Sequence, residues 1–147
     1  MKLRTVWVFA CLFAFGCKHQ NLEESFFDKP PENRLQRLRQ YSLEDQYKIF
    51  RYGNDKIEPP LMELAEPIAE KGATAIPYLV IQLNLKTDDV TIRDILLILE
   101  TMARSGSYDV KSNSTLMATI GSKVGEMKND QWRTIGVEML QHIRDSR

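Results

Sequence analysis

The chain has 147 residues, of which 43% are hydrophobic and 27% charged, and its formal net charge is zero. Such values are typical of a folded globular domain and exclude the charge-rich or Pro/Gly-rich composition of disordered chains. They also argue against nucleic acid as a partner, because that affinity comes largely from clustered cations that neutralise phosphates. We therefore expect one folded domain and no nucleic-acid partner.

The first sixteen residues have the pattern of a secretory signal peptide. Lys2 and Arg4 supply a short cationic start, and an almost unbroken apolar run follows over residues 6–15. A helix that crosses a bilayer needs about 20 apolar residues, so this run is too short to span one. The pattern predicts that residues 1–16 direct export and are then removed.

Residues 12–17, Leu-Phe-Ala-Phe-Gly-Cys, resemble a bacterial lipobox. The resemblance implies that Cys17 is diacylated on sulfur, that the leader is cleaved before it, and that its new amino group is usually acylated as well. Ala14 and Phe15 depart from the motif, which favours Leu and a smaller residue there. Ala14 and Gly16 also fit the small-x-small rule of the ordinary signal peptidase, which would release a periplasmic or secreted protein.

The cysteine count favours lipidation over release. Only Cys11 and Cys17 occur in the chain, and Cys11 is discarded with the leader. Exported proteins usually pair their cysteines, so a single thiol at the first mature position is best explained by lipid attachment. We predict a lipoprotein anchored to the cell envelope through Cys17. Lys18, rather than Asp, follows it, which in a Gram-negative cell favours the outer membrane, facing the periplasm.

Residues 17–31 are polar and end in Pro30-Pro31. This composition predicts a lipidated cysteine followed by a short flexible tether. Phe26 and Phe27 interrupt the polar stretch. Either these rings pack back onto the domain, or they contact lipid or a partner.

From residue 32 onward, apolar residues recur at helical spacing with end signals between the runs. The pattern predicts an all-α domain over residues 32–147, a compact stack of about seven helices in antiparallel hairpins. The predicted helices lie near residues 32–41, 42–53, 59–72, 74–85, 88–106, 116–127 and 129–143. Gly53 is expected to end the second of these helices, and Pro67 to kink the third.

A shift of forty residues aligns Ile92 with Trp132 and Arg93 with Arg133. Residues 72–83, Gly-Ala-Thr-Ala-Ile-Pro-Tyr-Leu-Val-Ile-Gln-Leu, and residues 87–96, Thr-Asp-Asp-Val-Thr-Ile-Arg-Asp-Ile-Leu, resemble one HEAT repeat. The residues resemble a HEAT repeat in their length, in a proline early in the first helix, and in the Asp-x-x-x-Arg sequence that opens the second helix. The similarity is weaker over the next forty residues, where Gly136 replaces Leu96. The resemblance implies stacked helical hairpins, which offer extended surfaces to partners. The whole chain also resembles small uncharacterised lipoproteins of bacterial envelopes, a resemblance that implies no activity.

The residues able to carry chemistry favour structural roles. His19 and His142, the two histidines, have no neighbours in sequence suited to a metal or to catalysis. Asp88-Asp89 are best explained as caps of a helix. Acylation of Cys17 would leave no thiol nucleophile. We therefore predict no catalytic, cofactor-binding or metal site.

Arg93, Arg133 and Trp132 are the candidate partner contacts. The competing interpretation is that each arginine pairs with a carboxylate of its own domain, such as Asp89, and that Trp132 belongs to the core or its rim. The leading hypothesis is a non-enzymatic module that binds an envelope protein or peptide. Two hypotheses stay open beside it: an envelope hydrolase that uses paired carboxylates, and a carrier of a lipid or small ligand in a cavity among the helices.

Overall fold

The described part of the chain is helical. The computed structural model of the protein describes residues 21–85 and 88–146, which form no β-strand. Its α-helices are α1 Leu22–Phe27, α2 Arg34–Leu38, α3 Leu43–Lys56, α4 Glu66–Ala69, α5 Ile76–Leu85, α6 Asp89–Ser105, α7 Ser114–Gly125 and α8 Asp130–Asp145. The 3-10 turns Met62–Ala65 and Gly72–Ala75 precede α4 and α5. Within these ranges, no helix is both long and apolar enough to cross a bilayer. The all-α prediction is confirmed, whereas the predicted leader and Cys17 lie outside the described residues.

Helix α6 forms the centre of the core because buried residues surround most of its circumference. They are Thr91, Ile92, Asp94, Ile95, Leu96, Ile98, Leu99, Thr101, Met102 and Ala103. Its ends carry local signals: the Asp88 side chain accepts a hydrogen bond from the Thr91 N–H at 2.9 Å, and Gly106 is left-handed with a φ of 71°. A helix with so wide a buried face must pack against several neighbours, whereas Arg93, Glu100 and Arg104 lie on its less buried side. Helices α4, α5, α7 and α8 all pack against it.

Helix α8 approaches α6 closely because Gly136 has no side chain. A Cβ atom at this position would lie 3.2 Å from Cγ1 of Val124, 3.3 Å from Sδ of Met127 and 3.4 Å from Cδ1 of Leu96. These neighbours already fill the space that a larger residue would occupy. Leu96 and Gly136, which the forty-residue shift aligns, therefore pack against each other, and the Leu96 side chain uses space that a larger residue at 136 would need.

Helix α3 continues past Gly53, where the sequence predicted its end, and reaches Lys56. Gly53 is buried, and a Cβ atom there would lie 2.6 Å from Cδ1 of Leu64 and 2.9 Å from Cζ of Phe27. This glycine permits close packing instead of terminating the helix. The predicted end at Gly53 is wrong for that reason.

The continuous helix predicted over residues 59–72 is also wrong. The chain forms the 3-10 turn Met62–Ala65 and then the short helix α4. Pro67 lies in the first turn of α4, where its missing N–H leaves no hydrogen bond unmade. It therefore opens a helix, and no kink is needed.

Part of the predicted tether belongs to the folded domain. Phe26 of α1 is 1% exposed, and its ring centroid lies 5.2 Å from that of Phe27 and 5.9 Å from that of Tyr41. Phe27 stacks on Tyr52 of α3 with a centroid distance of 5.5 Å. The interpretation that both rings pack onto the domain is confirmed. The described part of the domain consequently includes α1, which precedes the boundary predicted at residue 32.

Replacement of Phe26 by Ala should lower the free energy of unfolding by about 3 to 5 kcal/mol, because the lost phenyl ring leaves a cavity. Urea denaturation followed by circular dichroism measures this change. Glu24→Ala, on the exposed side of the same helix, is the control and should shift the free energy by less than about 0.5 kcal/mol. Unchanged stability of Phe26→Ala would mean that residues 22–27 are a tether after all.

The ends of α2 and α4 are joined by a two-pronged ion pair. Nε of Arg39 donates to Oε2 of Glu70 at 2.7 Å, and Nη2 donates to Oε1 at 2.5 Å. The hydrogen bond from Arg39 lowers the pKa of the Glu70 carboxyl below its ordinary value of 4.5. Both side chains are roughly half exposed, so solvent screening limits the contribution of the pair to about 1 kcal/mol or less.

Arg39→Gln should therefore lower the unfolding free energy by up to about 1 kcal/mol near pH 7. A carboxylate whose pKa is lower in the folded state stabilises the fold above its ordinary pKa, and that stabilisation is lost as the pH falls through the lowered value. The difference between the two proteins should shrink in acid. Urea titrations at neutral pH and near pH 3 test this, and a difference that persists in acid would contradict the assignment.

Candidate functional site

A mostly apolar cleft opens where α8 meets α6 and the end of α3. Its volume is about 250 Å³, and it is lined by Asn54, Pro60, Met62, Arg93, Leu97, Trp132, Ile135 and Met139. Met62 is 55% exposed at its edge, and Trp132 is half-buried. We call this feature the Trp132 cleft.

The first turns of α8 place three of the apolar lining residues. Asn129 caps the helix by accepting a hydrogen bond from the Trp132 N–H at 3.0 Å, which fixes where the helix starts. Ile135 and Met139 follow Trp132 at spacings of three and seven residues, so the three side chains share one face of the helix. This face forms one wall of the cleft.

Arg93 covers the aromatic ring of Trp132. Its guanidinium carbon lies 4.8 Å from the ring centroid, within cation–π distance. The Arg93 side chain is only 17% exposed, and a partly desolvated cation strengthens this kind of contact. The structure therefore brings together two of the three predicted partner contacts.

A buried polar network holds Arg93 in place. Asp94 is completely buried, and its Oδ1 accepts hydrogen bonds from Nε and Nη2 of Arg93 at 2.9 and 2.6 Å. Nδ2 of Asn54 donates to the same oxygen at 2.6 Å. Nε of Arg51 lies 3.4 Å from Oδ2. Arg93 and Arg51 thus place two positive charges beside the buried carboxylate, and Asn54 adds a hydrogen bond.

The charge of Asp94 depends on this network. Burial raises the pKa of the Asp94 carboxyl above its ordinary value, and the charge and hydrogen bonds of Arg93, the amide of Asn54 and the charge of Arg51 oppose that rise. Removal of one partner from a buried pair leaves an uncompensated charge, which is strongly destabilising. The network therefore fixes the orientation of Arg93 over Trp132.

Arg133, the third predicted contact, lies outside the cleft lining. Its Nη1 donates to the backbone carbonyl of Met127 at 3.0 Å, and its Nη2 pairs with Asp130. The interpretation as an intradomain ion pair is confirmed for Arg133, and also for Arg93. Asp89 as their partner is wrong, because its carboxylate accepts hydrogen bonds from the backbone N–H groups of Lys128 and Asn129.

A second cleft, of about 610 Å³, lies near the C-terminal ends of α6 and α8 and contains His142. Nδ1 of His142 lies 2.7 Å from Oε1 of Glu100, a carboxylate partner that the sequence did not predict. In a hydrolytic triad, a carboxylate orients a histidine, and a hydroxyl group is directed at that histidine. The hydroxyls of Ser105 and Ser146, both in this cleft, donate instead to the carbonyls of Met102 and Ile143.

A polar groove lined by residues of α1, α3 and α5 contains three carboxylates, Glu23, Glu44 and Asp55. Glu44 pairs with Lys48 at 2.7 Å, and Asp55 pairs with Lys56 at 2.9 Å. The hydrogen bond from Lys56 lowers the pKa of Asp55 below its ordinary value. A carboxyl group that acts as a general acid needs a raised pKa. The groove consequently gives the hydrolase hypothesis no support.

The described residues contain no group of three or more His, Cys, Asp or Glu side chains placed to hold a metal ion. Comparison of the chain with protein-family models, with curated proteins and with solved structures found no match.

Asn54, Asp94 and Met62 belong to the site but were not predicted from the sequence. The available signal was Asp94 itself, a charged residue between Ile92 and Ile95 in a helix with an apolar stripe. Such a residue must find a partner if the helix is enclosed. Its partner Asn54 is forty positions away, a distance that helical periodicity does not bridge.

Asp94→Ala should lower the free energy of unfolding by about 3 kcal/mol, because it leaves Arg93 and Arg51 without their shared counter-charge. Asp130→Ala is the matched control. It removes the exposed partner of Arg133 and should cost less than about 1 kcal/mol. Urea denaturation compares the two, and equal effects would show that the buried network does not stabilise the site.

Proposed function

We propose that this chain is a membrane-anchored envelope lipoprotein whose helical domain is a non-enzymatic protein-interaction module. The Trp132 cleft is its contact surface. The observation that carries this proposal is an apolar cleft in which Trp132, held under Arg93, lies beside the exposed side chain of Met62. Aromatic residues, Met and Arg are the residue types enriched at protein interfaces.

The size of the cleft supports a protein or peptide partner. Pockets for drug-sized ligands usually have volumes of about 300–1,000 Å³, whereas the Trp132 cleft has about 250 Å³. That space suits one or two apolar side chains of a partner. Such anchor side chains in small desolvated pockets contribute most of the binding energy of many interfaces.

The N-terminal sequence supports the proposed address. An export leader ends just before Cys17, and no cysteine follows it. Each buried acyl CH₂ contributes about 0.8 kcal/mol, so two or three chains would anchor the protein stably. In a Gram-negative cell the destination is the outer membrane, with the domain in the periplasm. Cleavage by the ordinary signal peptidase would give a periplasmic or secreted protein instead.

We also propose that the helices from α5 to α8 form two stacked HEAT-like hairpins. Contacts of α5 with α6, of α7 with α8 and of α6 with α8 support this arrangement. The helix caps Asp88 and Asn129 are separated by one residue more than the forty-residue shift. Counted from its own helix cap, Arg93 therefore lies one residue further along than Arg133. This difference agrees with the different contacts of the two arginines.

A photocrosslinking amino acid at position 62 tests the proposal in cells. We expect it to form a discrete adduct with an envelope protein or peptide, and Trp132→Ala should abolish that adduct. Val137→Ala is the control, because Val137 is exposed on the same helix and does not line the cleft. Adducts that are absent, or that survive Trp132→Ala, would contradict the proposal.

Binding of the captured partner can then be measured with purified protein. Trp132 is the only tryptophan outside the predicted leader, so its fluorescence reports on the cleft directly. Met62→Glu places a charge at the exposed edge without disturbing the core and should weaken binding at least about tenfold. Val137→Glu should leave the affinity unchanged.

A further inference from the structure

Helix α1 is firmly attached to the domain. Phe26 and Phe27 point inward, and the guanidinium carbons of Arg37 and Arg34 lie 5.4 and 5.5 Å from their respective ring centroids. On the other side, Gly53 leaves room for the Phe27 ring against α3. The chain that could act as a tether therefore ends where α1 begins, at Leu22.

The distance from the proposed anchor to α1 is short. Five Cα steps separate Cys17 from Leu22, and a fully extended chain of that length reaches at most about 18 Å. A domain of about 125 residues has a radius of gyration of about 14 Å and hence a diameter of about 35 Å. The connection is thus about half as long as the domain is wide, so the domain cannot turn every face toward the membrane.

We propose that the domain has a restricted orientation, with its α1 face toward phospholipid headgroups and its Trp132 cleft away from them. We define the α1 face by Glu24, Asp28 and Lys29. This inference rests on the proposed lipidation of Cys17. The short connection limits rotation of the domain relative to the membrane.

The chemistry of the α1 face suits the headgroup region and not the hydrocarbon. Its residues Glu24, Asp28 and Lys29 are exposed and polar, whereas Leu22 packs against the core. Burial of charged side chains in hydrocarbon is costly. The acyl chains on Cys17 therefore supply the anchoring energy, and α1 restricts how the domain lies on the surface.

Contacts within the domain place the cleft on a different side from α1. Tyr52 and Gly53 of α3 face α1, through the stacked Phe27 ring, whereas Asn54 faces Asp94 of α6. Helix α1 packs on α3, and α8, which forms a wall of the cleft, packs on α6 and α7. A partner can therefore reach the cleft while the α1 face is at the membrane.

Spin labels on the full-length mature protein, extracted from the membranes of its native host with detergent, test this orientation. The protein is bound to phosphatidylcholine vesicles that carry a small fraction of a nickel-chelating lipid, whose headgroup metal relaxes nearby labels. One variant carries the label at Lys29→Cys on the α1 face, and the other at Val137→Cys on α8. We expect relaxation of the Lys29→Cys label to be more than about twofold stronger, because the connection holds α1 within about 18 Å of the anchor.

A Gly-Ser spacer of about 20 residues between Asn21 and Leu22 is the matched control. Its root-mean-square length of about 25 Å should let the domain rotate and bring the two labels close to equality. Equal relaxation without the spacer, in protein that floats with the vesicles, would overturn the orientation and leave the anchoring intact. Protein that does not float with the vesicles would overturn both the proposed lipidation and this inference.

Discussion

Burial of α6 determines how the other helices are arranged. Buried residues cover more than half of its circumference, so the hydrophobic effect favours several neighbouring helices. Helices α4, α5, α7 and α8 supply them. Because Asp94 is on the buried side of this helix, Arg51 and Arg93 compensate its charge and Asn54 donates a hydrogen bond to it. Arg93, held in this way, covers Trp132, so the shape of the cleft follows from the way the core is closed.

The sequence predicted the elements whose ends have local signals and failed where neighbours decide the structure. Asp88, Gly106 and Asn129 are cap residues that act within one turn, and the helices they bound were predicted correctly. Gly53 was mistaken for a helix end because its role depends on side chains that reach it from distant positions. Helix α1 was missed because so short a helix is stable only when packed against a domain.

The same distinction holds for the candidate site. Arg93 and Trp132 were identified by residue type, and the structure brings them together. Their support could not be predicted, because it comes from Asn54 and from the burial of Asp94, neither of which has a periodic signal. In the proposed arrangement α3 contributes to both the attachment of α1 and the cleft. One side of this helix holds α1 near the anchor, and the other side completes the cleft for a partner.

Mass spectrometry of the mature N-terminus tests whether Cys17 is lipidated. The native protein is extracted from membranes with detergent, and its N-terminal peptide is fragmented. We expect the peptide to begin at Cys17 and to carry a diacylglyceryl group on sulfur. A mature chain that begins at another residue, or a Cys17 whose sulfur is unmodified, would contradict this expectation.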